Sequence, residues 1–453
     1  MPGLSDPQSA IYNVGVPTRR QFLRAVAAAS AAPSFWIPAR AQGRTLRHAS
    51  FGAAGQAQSD ITAFSKHPAF ELVAVADVDL CRLDRVLDRF PRTRVYQDWR
   101  ELLDKEASRL DSVSVSTPDH MHALQALAAM RLGKHVYVQK PLASTLRETR
   151  VLTEYARKAG VISQMGIQVS SSAPQRYGEW LVRSGVVGRI REVHTFSNKS
   201  WGDDKPLPDG VDPVPPTLDW NQWLGVADPR PFKRNVYHPG HWRRRVGFGT
   251  GTLGDMGCHI YSPPYRALEL TSPVKVTAYG PAPSGDSWAP SARVHLVYPG
   301  TAWTAGPTID MWWYDGGQLP PESLRSQVGE RMPDQGSLVV GTDGLLVLPH
   351  GGDPFALPDE KMSRIEQPDL PARDHYGEFV DAVLSPQQTA CSAGFAYSGP
   401  LTESVLIGNV AAYFPGQTLE FDAARLTFPN HAAANRHLTR EYRRGWRPKG
   451  VTI

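Results

Sequence analysis

The 453-residue chain is expected to be an α/β protein, a doubly wound parallel sheet followed by a second α/β domain on an antiparallel sheet. Three observations predict this. A β-prone run enters a glycine-alanine turn and then a helical pattern at Thr45–Phe64. Strands and helices then alternate over about 100 residues, which favours parallel strands with crossover helices. From residue 166 onward the character changes to several β-prone stretches separated by turn signals.

The elements follow in chain order. "TRRQFL" (Thr18–Leu23) pairs Arg19 with Arg20, the weakly apolar "AVAAASAA" follows, and "ARA" (Ala39–Ala41) offers small residues for cleavage. This order resembles a twin-arginine export signal, the alternative being a basic amphipathic helix. Residues 1–41 are therefore set aside as a signal peptide. The expectation is a periplasmic or otherwise exported protein that meets the twin-arginine translocase. Removing them takes four arginines and one aspartate, so the net charge falls from +5 to +2. No dense basic stripe remains, and nucleic-acid binding has little support. No later stretch reaches about 18 apolar residues, so a soluble mature chain is expected. With 41% hydrophobic and 21% charged residues, long disorder is not expected. Three cysteines (Cys81, Cys258, Cys391) form no C-x-x-C and no disulfide framework, which fits export in the folded state.

Residues 42–165 are read as the first domain. The turn Gly52-Ala-Ala54-Gly55-Gln56-Ala57 has the layout of a dinucleotide fingerprint, which needs a tight turn, close backbone approach to a pyrophosphate and close helix packing. Ala54 and Ala57 stand where glycine is usual; the third position tolerates alanine, the second is a departure. Asp77 ends the apolar run "FELVAVADVD", 25 residues after Gly52, near the spacing of a ribose-binding carboxylate. Such a carboxylate would repel a 2′-phosphate, which favours NAD over NADP; Asp79 is a rival. "DSVSVST" reads as a strand, "PDHMHALQALAAMRLG" as a helix stopped at Gly133, and "KHVYVQKP" as a strand. Ligands bind at the carboxyl ends of such strands, so Thr117, Pro118 and His120, and Gln139 and Lys140, become candidate cofactor contacts. Lys140 at the mouth of that crevice is a candidate acid/base; a surface lysine is the plainer reading.

Residues 166–453 are read as the substrate-binding domain. A helix is expected near Ala173–Ser184, a proline-rich loop near residues 202–218, and a short helix at "DWNQWLG". "PVKVTAYG", "RVHLVYPG", "TIDMWWYDGG" and "GSLVVGTDGLLVLPH" suit an antiparallel sheet, with helices near "HYGEFVDAVL" and "LTESVLIGNVAAYF". "WRRRV" (Trp242–Val246) is the one basic cluster. In "LGDMGCHI", Asp255 precedes His259 by four residues. That spacing shares one helix face and leaves a cap with a buried histidine, a metal pair and an acid/base couple all open. No third metal ligand of known spacing is evident. Pro263 and Pro264 are expected to end or kink any helix soon after His259.

Taken together, "STPDHMHA", "KHVYVQKPLA", "GVVGRIREVH", "DWNQWLG", "HWRR", "GTGTLGDMGCH", "MWWYDGG", "LTESVLIGNVA" and "REYRRGW" resemble the Gfo/Idh/MocA oxidoreductases across nearly all of the mature chain. The resemblance implies an N-terminal Rossmann domain and a C-terminal α/β domain with a large, mostly antiparallel sheet. It implies hydride transfer between NAD or NADP and a sugar or polyol. Lys140 matches the lysine of the family's E-K-P, and Asp255 and His259 match its D-x-x-x-H. Their implied roles are catalytic, with Asp255 orienting His259 or binding a neighbouring hydroxyl. Trp242 and Arg243 are implied near the substrate, and the sheet is implied to support a homo-oligomer. Gln139 stands where glutamate is usual, and Ser262 where an aspartate is common. Two other readings stay open: a glycoside-cleaving enzyme using transient C3 oxidation and elimination, and a non-catalytic sugar-binding relative. Because free NAD is scarce outside the cytoplasm, a tightly held, recycled cofactor is expected.

Overall fold

The computed structural model describes residues 43–448. The export-signal reading falls on residues outside that range. The described residues belong to one compact unit.

The first sheet has six strands: β1 (Leu46–Phe51), β2 (Phe70–Ala76), β3 (Arg94–Tyr96), β4 (Ser112–Val115), β5 (His135–Gln139) and β6 (Ser163–Gly166). They are ordered β3-β2-β1-β4-β5-β6 and every pairing is parallel. β4 is buried at all four residues and β1 at five of six, because helices cover both faces. The strand order reverses between β1 and β4, so the crevice above their carboxyl ends is the natural ligand position. The helix Asp119–Arg131 stops where Gly133 takes φ +70°, as the sequence predicts.

The second sheet has eight strands: β7 (Ile190–Ser197), β8 (Lys275–Tyr279), β9 (Arg293–Pro299), β10 (Thr308–Tyr314), β11 (Gln335–Gly341), β12 (Leu345–Pro349), β13 (Phe355–Leu357) and β14 (Thr418–Glu420). Their order is β13-β12-β11-β7-β10-β9-β8-β14. All pairings are antiparallel except β7 with β10. Val294, Leu296 and Tyr298 on β9 and Ile309, Met311 and Trp313 on β10 are buried in alternation with more exposed neighbours, so one face holds the core.

Against β7 and β11 of the second sheet packs the helix Gly251–Ala267, buried on nearly every side. It passes through Pro263 and Pro264 without ending, contrary to the sequence expectation. Pro264 cannot donate to the carbonyl of Ile260, four residues back. The Ser337 hydroxyl on β11 donates to that carbonyl instead, at 3.3 Å. A side chain from the sheet thus supplies the missing bond, and packing on all sides holds the helix together.

Later chain returns to the first sheet. The helix His375–Leu384 places Phe379 against Phe64 and Tyr137. The helix Phe395–Ala411 carries Glu403, which takes a two-pronged ion pair from Arg150 on the helix Leu146–Ala159, at 2.7 Å on each oxygen. The closing segment ties in as well. Tyr442 donates to Glu148, and Arg443 donates to Asn221.

Candidate active site

The glycine-alanine turn opens onto a cleft of about 390 Å³ at the switch point. Gly52 has φ +100°, and a Cβ there would meet the Ser116 carbonyl oxygen at 2.7 Å. Gly55 has φ +61° and precedes the helix Gln56–Phe64, with no side chain capping its first N–H groups. A positive-φ turn, uncapped amides and a helix N-terminus together suit the binding of a pyrophosphate. Ala57 lies beneath the turn at 1% exposure, its Cβ 3.0 Å from the position a side chain at Gly52 would take. It serves helix packing and does not line the cleft.

Asp77 lines the cleft at the end of β2. Its Oδ2 accepts from the Ala53 N–H at 2.9 Å and its Oδ1 from the Asp79 N–H at 3.0 Å. Burial pushes its carboxyl upward, against those two bonds. Asp79, the sequence's rival, is turned away to Thr217, Cys81 and His238. Ala54, Gly55, Gln56, Thr117, Pro118, Gln139 and Lys140 also line the cleft.

His120 does not. Its Nε2 faces the Trp223 carbonyl at 3.1 Å and its ring meets Phe248 edge-on, inside the aromatic cluster of the "DWNQWLG" segment. The helix that begins at Asp119 turns this side chain away from the strand end. His122, two residues on, instead bridges the Thr117 and Pro141 carbonyls at 2.8 Å each, joining the ends of β4 and β5.

Lys140 reaches from β5 to the central helix. Its Nζ donates to Asp255 Oδ1 at 2.6 Å and to the Asp255 carbonyl at 2.7 Å. Trp201 Nε1 donates to Asp255 Oδ2 at 2.8 Å and Arg243 Nε to Oδ1 at 3.3 Å. Burial opposes ionisation of Asp255, but Lys140, then Arg243 and Lys199, outweigh it and hold the carboxyl well below its usual range. A carboxylate so surrounded by cations is a poor metal ligand, because the same charges repel a metal ion. It bonds to Lys140, whereas the family resemblance implies that it orients His259 or binds a neighbouring hydroxyl.

His259 faces a smaller pocket continuous with the cleft through Gln56, Gln139, Lys140, Arg243 and Asp255, which line both. Its Nδ1 is buried and, among the described residues, has no hydrogen-bond partner. Burial, with Lys140 and His350 adding to it, holds the imidazole well below its ordinary range, so it is neutral at pH 7. The His350 ring is 5.4 Å away. Trp242 lines the cleft and is 7% exposed within the aromatic cluster; the Arg243 guanidinium lies 4.3 Å over its ring.

Several lining residues escaped the sequence reading: Lys199, Trp201, His350, Arg82 and His238. None belongs to a spaced motif. His350 follows β12, in a part of the chain whose proximity to His259 depends on how the second sheet is ordered.

The Gln139 departure has a structural counterpart. Its Nε2 donates to Asp60 at 3.0 and 2.9 Å, and Asp60 also accepts from Gln56, Ser116 and Tyr376. The acid in this cluster is Asp60, so an amide at residue 139 is what it requires. Ser262 is bonded to Tyr397 at 2.9 Å.

Comparison with known proteins follows the same division. An oxidoreductase-family model described as an NAD-binding Rossmann fold matches residues 46–167. The family's C-terminal alpha/beta model matches residues 181–303. A levoglucosan dehydrogenase of Pseudarthrobacter phenanthrenivorans is 23% identical over 193 residues, 43% of this chain and 41% of that protein. A glycosyl hydrolase family 109 protein of Shewanella is 30% identical over 141 residues, 29% of this chain and 30% of that protein. The chain thus spans less than half the length of the curated relatives it matches. The WlbA dehydrogenase from Bordetella pertussis, solved with NADH and UDP-GlcNAcA, shares the fold at TM-score 0.58 and 15% identity, over 84% of this chain and 99% of that one. With both family models matched in order and both sheets in place, the chain belongs to the Gfo/Idh/MocA oxidoreductase family, with an NAD-binding Rossmann fold at its N-terminal end.

Proposed function

We propose that the protein is an NAD-dependent oxidoreductase acting on a CH–OH group of a sugar or polyol, exported by the twin-arginine route. One observation carries the reading: Lys140 and Asp255 line both the nucleotide cleft and the pocket that His259 faces. A substrate held there would have the nucleotide cleft on one side and His259, a proton acceptor, on the other. NAD, when bound, supplies the hydride acceptor.

The protein's own residues handle the hydroxyl. Lys140 has three N–H donors, two of them given to Asp255, which leaves one for the substrate oxygen. His259 is neutral and accepts the hydroxyl proton. Asp255 fixes the lysine in place and balances its charge. In the reverse direction the same groups return the proton to a carbonyl oxygen.

The family 109 relative favours a second reading, glycoside cleavage through transient oxidation, with no net nucleotide turnover. A homo-oligomer is proposed through the open face of the second sheet, where His295 stacks on Trp312 at 4.1 Å and Tyr279 lies beside them.

The deciding experiment denatures the purified protein and identifies released nucleotide by mass. NAD or NADH is expected. No nucleotide, together with no uptake of added NAD or NADP, overturns the reading. Cleavage of p-nitrophenyl glycosides without net NADH would select the second one.

A further inference from the structure

Resting on that oxidoreductase reading, we infer that the substrate is an anionic sugar or polyol, one carrying a carboxylate or phosphate group, and that Lys199 binds the anion. The pocket beyond the cleft presents Lys140, Lys199 and Arg243, with Asp255 as the sole carboxylate among its lining residues. Its two histidines, His259 and His350, are held in the neutral form by burial, so they do not offset the count in either direction. Three cations against one carboxylate leave the pocket positive.

The charges are not equally committed. Lys140 is spent on Asp255 through two short bonds. Arg243 reaches Asp255 through Nε and stacks on Trp242. Lys199 is different. Its Nζ stands 3.6 Å from Asp255 Oδ2, and among the described residues its one hydrogen-bond contact is the Met256 sulfur at 3.0 Å. A thioether is a weak acceptor and leaves most of an ammonium's hydrogen-bonding capacity unused. The side chain is two-fifths exposed, on the pocket side.

Asp255 meets that demand only as an ion pair: its Oδ2, which accepts from Trp201, stands 3.6 Å from Nζ, beyond hydrogen-bond reach. A neutral sugar would leave Lys199 without a strong acceptor. An anionic substituent would supply one, at the Oδ2 end of the Asp255 carboxylate, while Lys140 holds Oδ1. The reacting hydroxyl would then lie at Lys140 and His259 while the anion rests on Lys199. The anion fixes which carbon faces the nicotinamide, so one charge gives both affinity and orientation.

The test is calorimetric titration of the purified full-length protein with D-glucuronate, D-glucose 6-phosphate and D-glucose, repeated on Lys199→Met. NADH formation at 340 nm is followed in parallel. The expected result is at least tenfold tighter binding of one anionic sugar than of glucose, weakened by added salt. That ratio should collapse about tenfold in Lys199→Met, which a purely structural lysine would not do. The tighter of the two anions identifies the group as carboxylate or phosphate. Glucose binding as tightly as both, no detectable binding of either anion, or an unchanged ratio in Lys199→Met overturns the proposal. Released-nucleotide analysis is a separate readout, so failure of the oxidoreductase reading and failure of the anion preference are told apart.

Discussion

At the residue scale, the proposed site divides labour between Lys140 and His259. Asp255 binds Lys140, while burial, Lys140 and His350 keep His259 neutral against the opposing pull of Asp255, with Nδ1 unbonded among the described residues. His259→Asn should lower kcat by about 10²–10⁴, the usual worth of a positioned general base. Released nucleotide should be unchanged, so mass analysis separates a catalytic loss from a folding loss. The sign of the pH dependence follows from the lowered imidazole pKa. The base is active when unprotonated, so the acid limb of kcat/KM should fall below pH 6.5, the ordinary histidine value. A limb above 6.5 would remove His259 from that role. Residue identity at 139 is set in the same way. Gln139→Glu would place a second carboxyl about 3 Å from buried Asp60, and two carboxylates there cannot both ionise. Stability should drop by several kcal/mol and recover when Asp60→Asn is added, read by urea denaturation. The family motif made residue 139 visible as a departure, but its partner lies 79 residues away and only the fold names it.

At the element scale, the central helix shows where sequence rules are overridden. Two prolines within it predict an end, and the helix continues because Ser337 serves the Ile260 carbonyl. Ser337→Ala should cost about 1–3 kcal/mol by leaving that buried carbonyl unpaired. In a Pro264→Ala background the helix recovers its own N–H donor, so the same Ser337→Ala change should cost much less. Equal costs in both backgrounds, by denaturant midpoint, would mean that Ser337 does something else. Local patterning was otherwise a good guide. The helices Ala173–Ser184 and His375–Leu384 fall where the sequence places them, and the Gly52 turn is legible because close backbone approach requires glycine there. His120 departs from the sequence expectation for a reason of the same scale. Its place just after a strand end predicts a crevice contact, but it already belongs to a helix whose phase points it into the aromatic cluster.

At the scale of the whole molecule, the two sheets share their stability. One apolar core runs from β1 and β4 of the first sheet to β9 and β10 of the second. Arg150 and Glu403 join helices on either side of the chain's return. Glu403→Ala removes the carboxylate partner of the part-buried Arg150 guanidinium, which keeps the Ala423 carbonyl, and should cost about 1.5–3 kcal/mol. Unfolding followed by tryptophan fluorescence and by far-ultraviolet circular dichroism should remain one coincident transition, shifted to lower denaturant. Two separated transitions would mean that the halves are independent.

The sequence by itself determined the sheet classes, the dinucleotide turn and the Lys140, Asp255 and His259 set, because each rests on local spacing or on a motif. Tertiary structure decided which of those three bond to one another, what replaces the bonds lost at Pro264, and which acid Gln139 answers. It also brought Lys199, Trp201 and His350 to the pocket. These depend on charges and carbonyls that meet across tens to hundreds of residues, and side-chain pairing at that range is fixed by how the two sheets and their helices pack.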